Sequence, residues 1–365
     1  MGAGRVAAAG VMETSAVKAR PGNDATARAP LRIGVLGVGR IGRMHAELLA
    51  RRVPGAALAG VYDVDAGRAG EVAAEFRTSA ASSTEELVGS GAVDAVAICS
   101  DTATHAELIV AAAHRGKAIF CEKPVSLDLA EVDRAVAAVN GAGVAFQIGF
   151  NRRFDPAHQS VHDAVADGTI GDIHLVRISS RDPAPPSLGY LKGSGGIFLD
   201  MTIHDFDMAR YVAGSEVVEV YAQGAVRVDP AIAEAGDVDT ALITLAHENG
   251  SLTAIDNSRQ AVYGYDQRVE AFGSAGMAAS ENPLAHSALL RTADGTRTPP
   301  LPHFFLERYI PSYVREWEAF VTAVTNGRTP PVGTADARAP LVIGLAAWRS
   351  LRERRPVRTE EVDRA

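Results

Sequence analysis

From Leu31 onward, short apolar runs of strand type alternate with amphipathic segments of helical length. The predicted strands are Leu31–Leu36, Ala57–Tyr62, Val93–Ile98, Ala118–Phe120 and Val144–Ile148. The predicted helices between them are Ile41–Ala50, Ala66–Phe76, Ala103–Arg115 and Leu127–Asn140. Strands that alternate with helices form βαβ units, whose right-handed crossovers build a parallel sheet with helices on both faces. We therefore predict an α/β fold whose N-terminal domain, residues 31–150, is a doubly wound Rossmann sheet.

The pattern changes after Gly149, where period-two strands dominate. These strands are Ile173–Ser179, Val217–Val228, Thr240–Ala246, Leu252–Asn257 and Gln267–Phe272, and the helices predicted beside them are Asp200–Val212 and Tyr313–Thr325. A turn signal, Glu248-Asn249-Gly250, separates two of the strands. We expect residues 151–356 to form an α+β domain with a large open, mainly antiparallel sheet, which subunit association would cover. Residues 1–30 lack any periodicity and are expected to be a flexible tail.

A glycine-rich turn joins the first predicted strand to the first predicted helix. It reads Gly37-Val38-Gly39-Arg40-Ile41-Gly42, the G-x-G-x-x-G pattern. The first glycine permits a tight turn, the second lets a pyrophosphate approach the backbone, and the third allows close packing of helix on strand. Asp63 ends the second strand, 21 residues after Gly42, where a carboxylate binds ribose hydroxyls and repels a 2′-phosphate. The turn therefore predicts NAD as cofactor, and the alternative is a structural glycine turn followed by an ordinary acid.

Composition excludes several classes of partner. The chain has 36 basic and 44 acidic residues, a net charge of −8, which repels nucleic acid. The longest apolar run, Leu341–Trp348, is far shorter than the roughly 20 residues of a membrane span. The two cysteines, Cys99 and Cys121, end apolar runs and read as buried, reduced thiols. We expect a soluble, cytoplasmic protein with no membrane or nucleic-acid partner.

Lys123 is one of only four lysines in the chain, and it follows the fourth predicted strand in the run Cys121-Glu122-Lys123-Pro124. The carboxyl ends of parallel strands are where such sheets hold ligands. A lysine at this edge can stabilise negative charge that develops on a substrate oxygen. The alternative is a solvated surface lysine.

Asp200 and His204 are spaced i and i+4, so one continuous helix would present them on the same face. An aspartate beside an imidazole fixes its tautomer and raises its basicity, which suits a base that takes the proton of an alcohol. Asp200 could instead cap the helix, and His204 could be a hydrogen-bonded core histidine. A metal site from His204, Asp205 and Asp207 is disfavoured because neighbouring helical residues point in different directions, so no metal is predicted.

Together these motifs resemble the Gfo/Idh/MocA family of oxidoreductases over about residues 31–355. The resemblance rests on four stretches: Gly37–Gly42, Glu122-Lys123-Pro124, Gly149-Phe150-Asn151-Arg152-Arg153-Phe154-Asp155 and Leu199-Asp200-Met201-Thr202-Ile203-His204-Asp205-Phe206-Asp207. Two further stretches resemble the branch of the family that oxidises inositols: Asn257-Ser258-Arg259-Gln260 and Gly264-Tyr265-Asp266-Gln267-Arg268-Val269-Glu270.

The resemblance implies a complete set of site residues. Lys123, Asp200 and His204 would be catalytic, with His204 as base, Asp200 orienting it and Lys123 contacting the reacting hydroxyl. Arg153 and Tyr263 would bind substrate hydroxyls, although Arg152 and Arg153 could be ordinary ion-pair partners. The implied cofactor-binding residues are Gly37, Gly39, Arg40, Ile41, Gly42, Asp63, Glu122 and Lys123. A cis peptide bond before Pro124 is also implied.

The activity that the resemblance implies is oxidation of myo-inositol at its 2-hydroxyl to the 2-keto product, with NAD accepting the hydride. The family's usual assembly implies a homotetramer. Another cyclitol or a pyranose sugar, such as scyllo-inositol or glucose, is the alternative substrate. A non-catalytic NAD-binding sensor is the alternative from another functional class.

Overall fold

The structure is a computed structural model that describes residues 29–363, so most of the predicted tail, residues 1–28, lies outside the described residues. The N-terminal part contains five parallel strands in the order β2-β1-β3-β4-β5. The strands are β1 Leu31–Leu36, β2 Ala56–Tyr62, β3 Ala95–Ile98, β4 Ala118–Glu122 and β5 Phe146–Gly149. The helices are α1 Arg40–Arg51, α2 Ala66–Phe76, α3 Thr84–Gly89, α4 Thr102–His114 and α5 Leu129–Ala142. This arrangement confirms the predicted Rossmann sheet.

The strand order places a ligand crevice at one edge of this sheet. Strand β1 lies between β2 and β3, and the chain leaves β1 toward β2 on one side before it crosses to β3 on the other. The loops after β1 and β3 therefore diverge and open a crevice at the carboxyl ends of the strands. Ile33 and Val35 on β1 are fully buried, as expected for a strand with helices on both faces.

The second sheet has seven strands in the order β11-β10-β6-β9-β8-β7-β14. Its strands are β6 Ile173–Arg181, β7 Val217–Ala225, β8 Thr240–His247, β9 Leu252–Ser258, β10 Asp266–Gly273, β11 Gly276–Ser280 and β14 Val357–Arg358, and a separate hairpin joins β12 Leu290–Thr292 to β13 Gly295–Arg297. Within the described chain, β6 and β9 are the one parallel pair of this sheet. The mainly antiparallel architecture and the turn between β8 and β9 are confirmed.

One face of this sheet packs against helices, and the other remains open. The remaining helices are α6 Pro156–Ala166, α7 Leu188–Ser194, α8 Gly196–Asp200, α9 Ile203–Ala213, α10 Ala231–Glu234, α11 Phe305–Thr325, α12 Thr334–Glu353 and α13 Glu360–Asp363. Helices α6, α9 and α12 contribute to the core on the covered face. On the opposite face Leu242 is 61% exposed and Met277 56% exposed.

The structure differs in one respect from the single helix predicted over Asp200–Val212. The structure divides it into α8, which ends at Asp200, and α9, which begins at Ile203, with a turn at Met201 and Thr202. The Thr202 hydroxyl donates to the side-chain oxygen of Asn257 on β9 at 2.6 Å. This tertiary contact fixes the turn, which no local sequence signal indicated.

The C-terminal helices extend further than the sequence predicted. Helix α11 begins at Phe305 rather than at Tyr313, because Pro311 is accommodated inside it at a cost of about 3 kcal/mol. Its side chains Tyr309, Trp317 and Phe320 offset this cost by packing in the core of the N-terminal sheet. Helices α6 and α12 were not predicted. Strand β7 ends at Ala225, three residues before the predicted end.

Candidate active site

The glycine turn leaves open space beside only one of its three glycines. A side chain at Gly37, where φ is +85°, would meet the backbone nitrogen of Ser100 at 2.6 Å. A side chain at Gly42 would lie 1.8 Å from the carbonyl oxygen of Gly37, whereas one at Gly39 would meet nothing within 4 Å. The chain itself therefore requires the first and third glycines. The second borders the open approach to the N-terminus of α1, where a pyrophosphate fits.

Asp63 lies beside this turn, at the end of β2. Its Oδ2 accepts a hydrogen bond from the backbone N–H of Val38 at 2.8 Å. Its Oδ1 accepts from the backbone of Asp65 at 2.9 Å and from Arg68 at 3.3 Å. The carboxylate is therefore held at the glycine turn, where the adenosine ribose of a dinucleotide would lie, and the residues present fit NAD.

The two other predicted cofactor residues of the turn lie at the start of α1. Arg40 is exposed, and its guanidinium lies 5.3 Å from the centroid of the Phe304 ring. Ile41 is partly buried against the core of the N-terminal sheet. A contact of Arg40 with the cofactor stays a prediction, whereas Ile41 mainly anchors the helix.

Lys123 and Asp200 meet across the cleft between the two sheets. The Lys123 Nζ donates to the carbonyl oxygen of Asp200 at 2.8 Å and lies 3.6 Å from its Oδ1. Both side chains are mostly buried, and the peptide bond between Lys123 and Pro124 is cis, as predicted. The ammonium is thus anchored by a carbonyl and lies near a carboxylate, too loosely paired to be fully neutralised.

Two residues that the sequence did not single out hold the Asp200 carboxylate. The Tyr190 hydroxyl, on the short helix α7, donates to Oδ1 at 2.8 Å. Arg259, only 1% exposed, reaches Oδ2 with its Nη1 at 3.5 Å. Arg259 belongs to a stretch that resembles the inositol-oxidising branch, and this was the only sequence signal for it. Tyr190 had none, because its ten-residue separation from Asp200 matches no helical or strand spacing.

His204 lies in the first turn of α9, at the same cleft. Its Nδ1 is buried and has no hydrogen-bond partner among residues 29–363, and Phe150 approaches the ring edge-on at 5.9 Å between centroids. Burial, with smaller contributions from the positive charges of Lys123 and Arg152, holds the pKa of His204 well below its usual value of 6.5. The imidazole is therefore neutral at pH 7.

The structure gives no support to the predicted orientation of His204 by Asp200. Between residues 29 and 363 no hydrogen bond joins the two side chains, and the Asp200 carboxylate is bound by Tyr190 and Arg259 instead. Asp200 therefore does not raise the basicity of His204, and Lys123 lowers it. Nor does Asp200 cap a helix, since its carboxylate is bound to side chains.

A buried polar network supports the start of α9. Asp205 accepts from Arg152 at 2.7 Å, from Ser180 at 2.5 Å and from the side-chain amide of Asn257 at 2.8 Å. These partners come from three different segments of the second domain, so they fix α9, and with it His204, relative to the sheet. The stretch that begins at Asn257 thus acquires a positional role that its sequence did not reveal.

Arg153 and Tyr263 do not join the cluster of Lys123, Asp200 and His204. The Arg153 guanidinium donates to Asp207 at 2.6 and 2.8 Å and to Asp336 at 2.7 Å. The Tyr263 hydroxyl donates to Asp266 at 2.7 Å and accepts from Arg181 at 3.1 Å. Both donors are occupied within the chain, so their predicted substrate contacts receive no support from this geometry. For Arg153 the structure favours the alternative, an ion-pair partner.

Asp182, which follows β6, is a further acidic group of the cleft that sequence reasoning missed. Burial raises its pKa to about 6, against the opposing charges of Arg259 and Arg152. The negative charges of Asp200 and Asp205 also raise the pKa of Asp182, because they disfavour its ionised form. A carboxyl poised near neutrality can accept or donate a hydrogen bond to a substrate hydroxyl.

The described part of the chain offers no other obvious chemistry. Among residues 29–363, no three His, Cys, Asp or Glu side chains are arranged to hold a metal ion. No helix within these residues is long and apolar enough to cross a membrane. Cys99 and Cys121 are buried free thiols, and burial raises the pKa of each well above its usual value. The cleft therefore combines a dinucleotide cradle with a neutral imidazole, an ammonium and a carboxylate.

Comparison with known protein families agrees with this geometry. Residues 31–150 match the model of an oxidoreductase family with an NAD-binding Rossmann fold. Residues 158–279 match the model of the GFO/IDH/MocA C-terminal domain. The first model covers the glycine turn and Lys123, and the second covers Asp200 and His204.

Individual relatives are similar over nearly their whole length. A myo-inositol 2-dehydrogenase from Thermotoga maritima is 49% identical over 333 residues, which cover 91% of this chain and 99% of the relative. An inositol 2-dehydrogenase from Rhizobium meliloti is 43% identical over 327 residues, 90% of this chain and 98% of the relative. The crystal structure of a scyllo-inositol dehydrogenase from Lactobacillus casei with bound NAD(H) and scyllo-inositol superposes with a TM-score of 0.85 at 29% identity, covering 91% of this chain and 99% of that one.

Proposed function

The chain belongs to the GFO/IDH/MocA family of oxidoreductases, and from that premise we propose that it is an NAD-dependent dehydrogenase that oxidises myo-inositol at its 2-hydroxyl. The product is the 2-keto-inositol, scyllo-inosose. One observation carries the proposal: a neutral imidazole, a loosely paired ammonium and a carboxylate meet beside a dinucleotide cradle. The substrate class rests on the names of the relatives at 43–49% identity.

His204 acts as the general base. Because its pKa lies well below 6.5, the imidazole is unprotonated at pH 7 and can take the hydroxyl proton of the substrate. NAD, which the glycine turn and Asp63 would hold, would supply the acceptor for the hydride of the carbinol carbon. The hydroxyl proton leaves to His204 as the C–O bond becomes a carbonyl, so the chain's own part of the reaction is to move one proton.

Lys123 and Asp200 prepare the same hydroxyl. The Lys123 ammonium stabilises the alkoxide character that develops on the oxygen, and its Nζ is fixed for this purpose by the carbonyl of Asp200 at 2.8 Å. The Asp200 carboxylate, held by Tyr190 and Arg259, accepts a hydrogen bond from a neighbouring hydroxyl of the ring. A cyclitol has a hydroxyl on every ring carbon, so paired donors and acceptors suit it.

A second substrate, scyllo-inositol, is favoured by one of the solved structures. The relative from Lactobacillus casei binds scyllo-inositol with the same fold at 29% identity. The purified enzyme should be assayed for NAD reduction with myo-inositol, scyllo-inositol and glucose at equal concentrations. If kcat/KM is highest with myo-inositol, the proposal is supported. If it is highest with scyllo-inositol, that compound becomes the assigned substrate. Binding of NAD without turnover on any polyol would indicate a sensor and defeat the proposal.

We also propose that the enzyme is a homotetramer and that it is cytoplasmic. The open sheet face, with Leu242, Phe272 and Met277 largely exposed, supports pairing of subunits into a homotetramer. Light scattering would test this, because substitution of Leu242 by Asp should dissociate the assembly while leaving each subunit folded. The buried free thiols and the need for NAD support a cytoplasmic enzyme of inositol breakdown.

A further inference from the structure

Three side chains outside the cluster of Lys123, Asp200 and His204 form a buried line of hydrogen bonds that leads to it. His45 on α1 and Trp317 on α11 are completely buried, and Glu122 at the end of β4 is nearly so. The Trp317 Nε1 donates to the His45 Nδ1 at 2.9 Å. The His45 Nε2 lies 2.7 Å from the Oε1 of Glu122. The line therefore joins the C-terminal helix α11 to the residue that precedes Lys123.

Trp317 fixes the tautomer of His45. An indole N–H can only donate, so the Nδ1 of His45 must be its acceptor and carry no proton. The single proton of the neutral ring then lies on Nε2, which donates to Glu122. If Nδ1 were protonated instead, two donors would face each other in a buried site.

Glu122 connects His45 to Lys123 by a hydrogen bond to each. Its Oε1 accepts from His45, and its Oε2 accepts the backbone N–H of Lys123 at 3.3 Å. A side chain at Gly149, on the neighbouring strand, would lie only 3.2 Å from Oε2, so the space around the carboxylate is closely filled. Among residues 29–363 the only carboxylate paired with the Lys123 ammonium belongs to Asp200. His45 thus holds one oxygen of the Glu122 carboxylate while the other oxygen binds the backbone of Lys123.

We propose that Trp317, His45 and Glu122 act as positioning residues, which hold the catalytic Lys123 in place through its backbone. This inference rests on the proposed function. Trp317 comes from the C-terminal part of the chain, and so does Asp200, which receives the Lys123 Nζ. The lysine is therefore held at its ammonium by the carbonyl of Asp200 and at its backbone N–H by Glu122, whose partner His45 is bound by Trp317.

The decisive variant is Trp317→Phe, which removes the N–H and keeps an aromatic ring in the core. We expect kcat to fall about tenfold, because a small misplacement of a catalytic group costs this order of rate. The dissociation constant of NADH, measured by its fluorescence, should stay within about twofold of wild type. The matched control is Tyr313→Phe on the same helix, whose ring contacts His45 edge-on at 5.5 Å and whose hydroxyl makes no hydrogen bond to the described residues. Its kcat should stay within about twofold of wild type.

A double-mutant cycle separates positioning from packing. His45→Gln keeps a donor for Glu122 that does not depend on Trp317, so Trp317→Phe should cost less than about twofold in that background. If Trp317→Phe lowers kcat equally in both backgrounds, or if Tyr313→Phe lowers it as much, the proposal is wrong.

Should Trp317→Phe fail to fold, the pair His45→Gln and His45→Leu decides. The proposal requires the glutamine variant to retain several times the kcat of the leucine variant, and equal values overturn it. Failure of the proposed function would differ, since the wild-type protein would then turn over no polyol at all. An active wild type with an unaffected Trp317→Phe variant defeats this inference alone.

Discussion

Helix α9 carries two kinds of charged or titratable residues within four positions. Asp205 and Asp207 are buried and fully paired, Asp205 with Arg152 at 2.7 Å and Asp207 with Arg153 at 2.6 Å. His204, beside them, has a buried nitrogen with no hydrogen-bond partner among the described residues and lies near the loosely paired Lys123. One helix thus provides both a scaffold of satisfied ion pairs and a site with unsatisfied polar groups.

The difference between the paired aspartates and His204 indicates which of these residues can act on a substrate. A buried charge that is completely paired has no capacity left for a substrate, and breaking the pair is costly. An unpartnered imidazole or a loosely paired ammonium stores unused hydrogen-bonding capacity that a ligand can satisfy. We therefore propose a structural role for the arginine–aspartate pairs and a catalytic role for His204 and Lys123.

The largest effect is expected at His204. His204→Ala should lower kcat by about 10²–10⁴-fold, because the variant lacks the base that takes the hydroxyl proton. NADH affinity should change little, since the substitution leaves the glycine turn and Asp63 unaltered. Initial rates with myo-inositol and NADH fluorescence titrations measure the two quantities. Turnover close to wild type would remove His204 from the mechanism.

For the arginine–aspartate pairs we expect substitutions to reduce stability rather than catalysis. Arg152→Met leaves Asp205 buried without its cation and should lower the free energy of unfolding by about 3–5 kcal/mol. Arg153→Met should cost less, because Asp207 keeps Arg210 at 3.9 Å and Arg153 is partly exposed. Urea unfolding measures both values. If Arg153→Met instead raises KM for inositol without loss of stability, the substrate contact predicted from the sequence is restored.

Asp63 tests the limit of the comparison, because it accepts three hydrogen bonds from the chain and is nevertheless predicted to bind the cofactor. Asp63→Ser with Val64→Arg removes the carboxylate and places a cation on the fully exposed neighbour. We expect the ratio of kcat/KM for NADP to that for NAD to rise by about tenfold or more. An unchanged ratio would show that Asp63 only supports the turn.

The depressed pKa of His204 predicts how the rate depends on pH. The base is active when deprotonated, so kcat/KM for inositol oxidation should stay constant as the pH falls to 6.5 and decline only below it. Lys123→Met removes a positive neighbour, which should raise the pKa and move the acid limb to higher pH, on a much lower rate. A pH–rate profile from 5 to 9 for both proteins gives the comparison. An acid limb of wild type above pH 7 would contradict it.

The smallest effect is expected for a pair of tyrosines. Tyr190→Phe removes the hydrogen bond to Asp200 and should lower kcat/KM about fivefold, the equivalent of roughly 1 kcal/mol. Tyr263→Phe, whose hydroxyl is bound to Asp266 and Arg181, should change kcat/KM by less than about twofold. The reverse order would mean that the sequence identified the correct tyrosine and that Tyr263 exchanges its partners when substrate binds.

Much of the fold could be predicted because its signals are local. The period-two runs coincide with observed strands, and the Gly37–Gly42 turn lies between the first strand and the first helix. Helix α12 was missed because its apolar residues extend around much of the helix and Pro340 lies inside it. Helix α11 likewise contains a proline, Pro311, and the predicted helix began only after that residue.

The sequence by itself determined the two-sheet architecture, the dinucleotide turn and the identity of the residues able to transfer a proton, since each is encoded within a short stretch of chain. Only the tertiary structure decided how those residues are used. It divided the helix between Asp200 and His204, gave the Asp200 carboxylate to Tyr190 and Arg259, and surrounded His204 with burial and positive charge. Such neighbours lie up to about eighty residues apart in the chain, and pKa depends on distance in space, so folding has to bring them together before the chemistry exists.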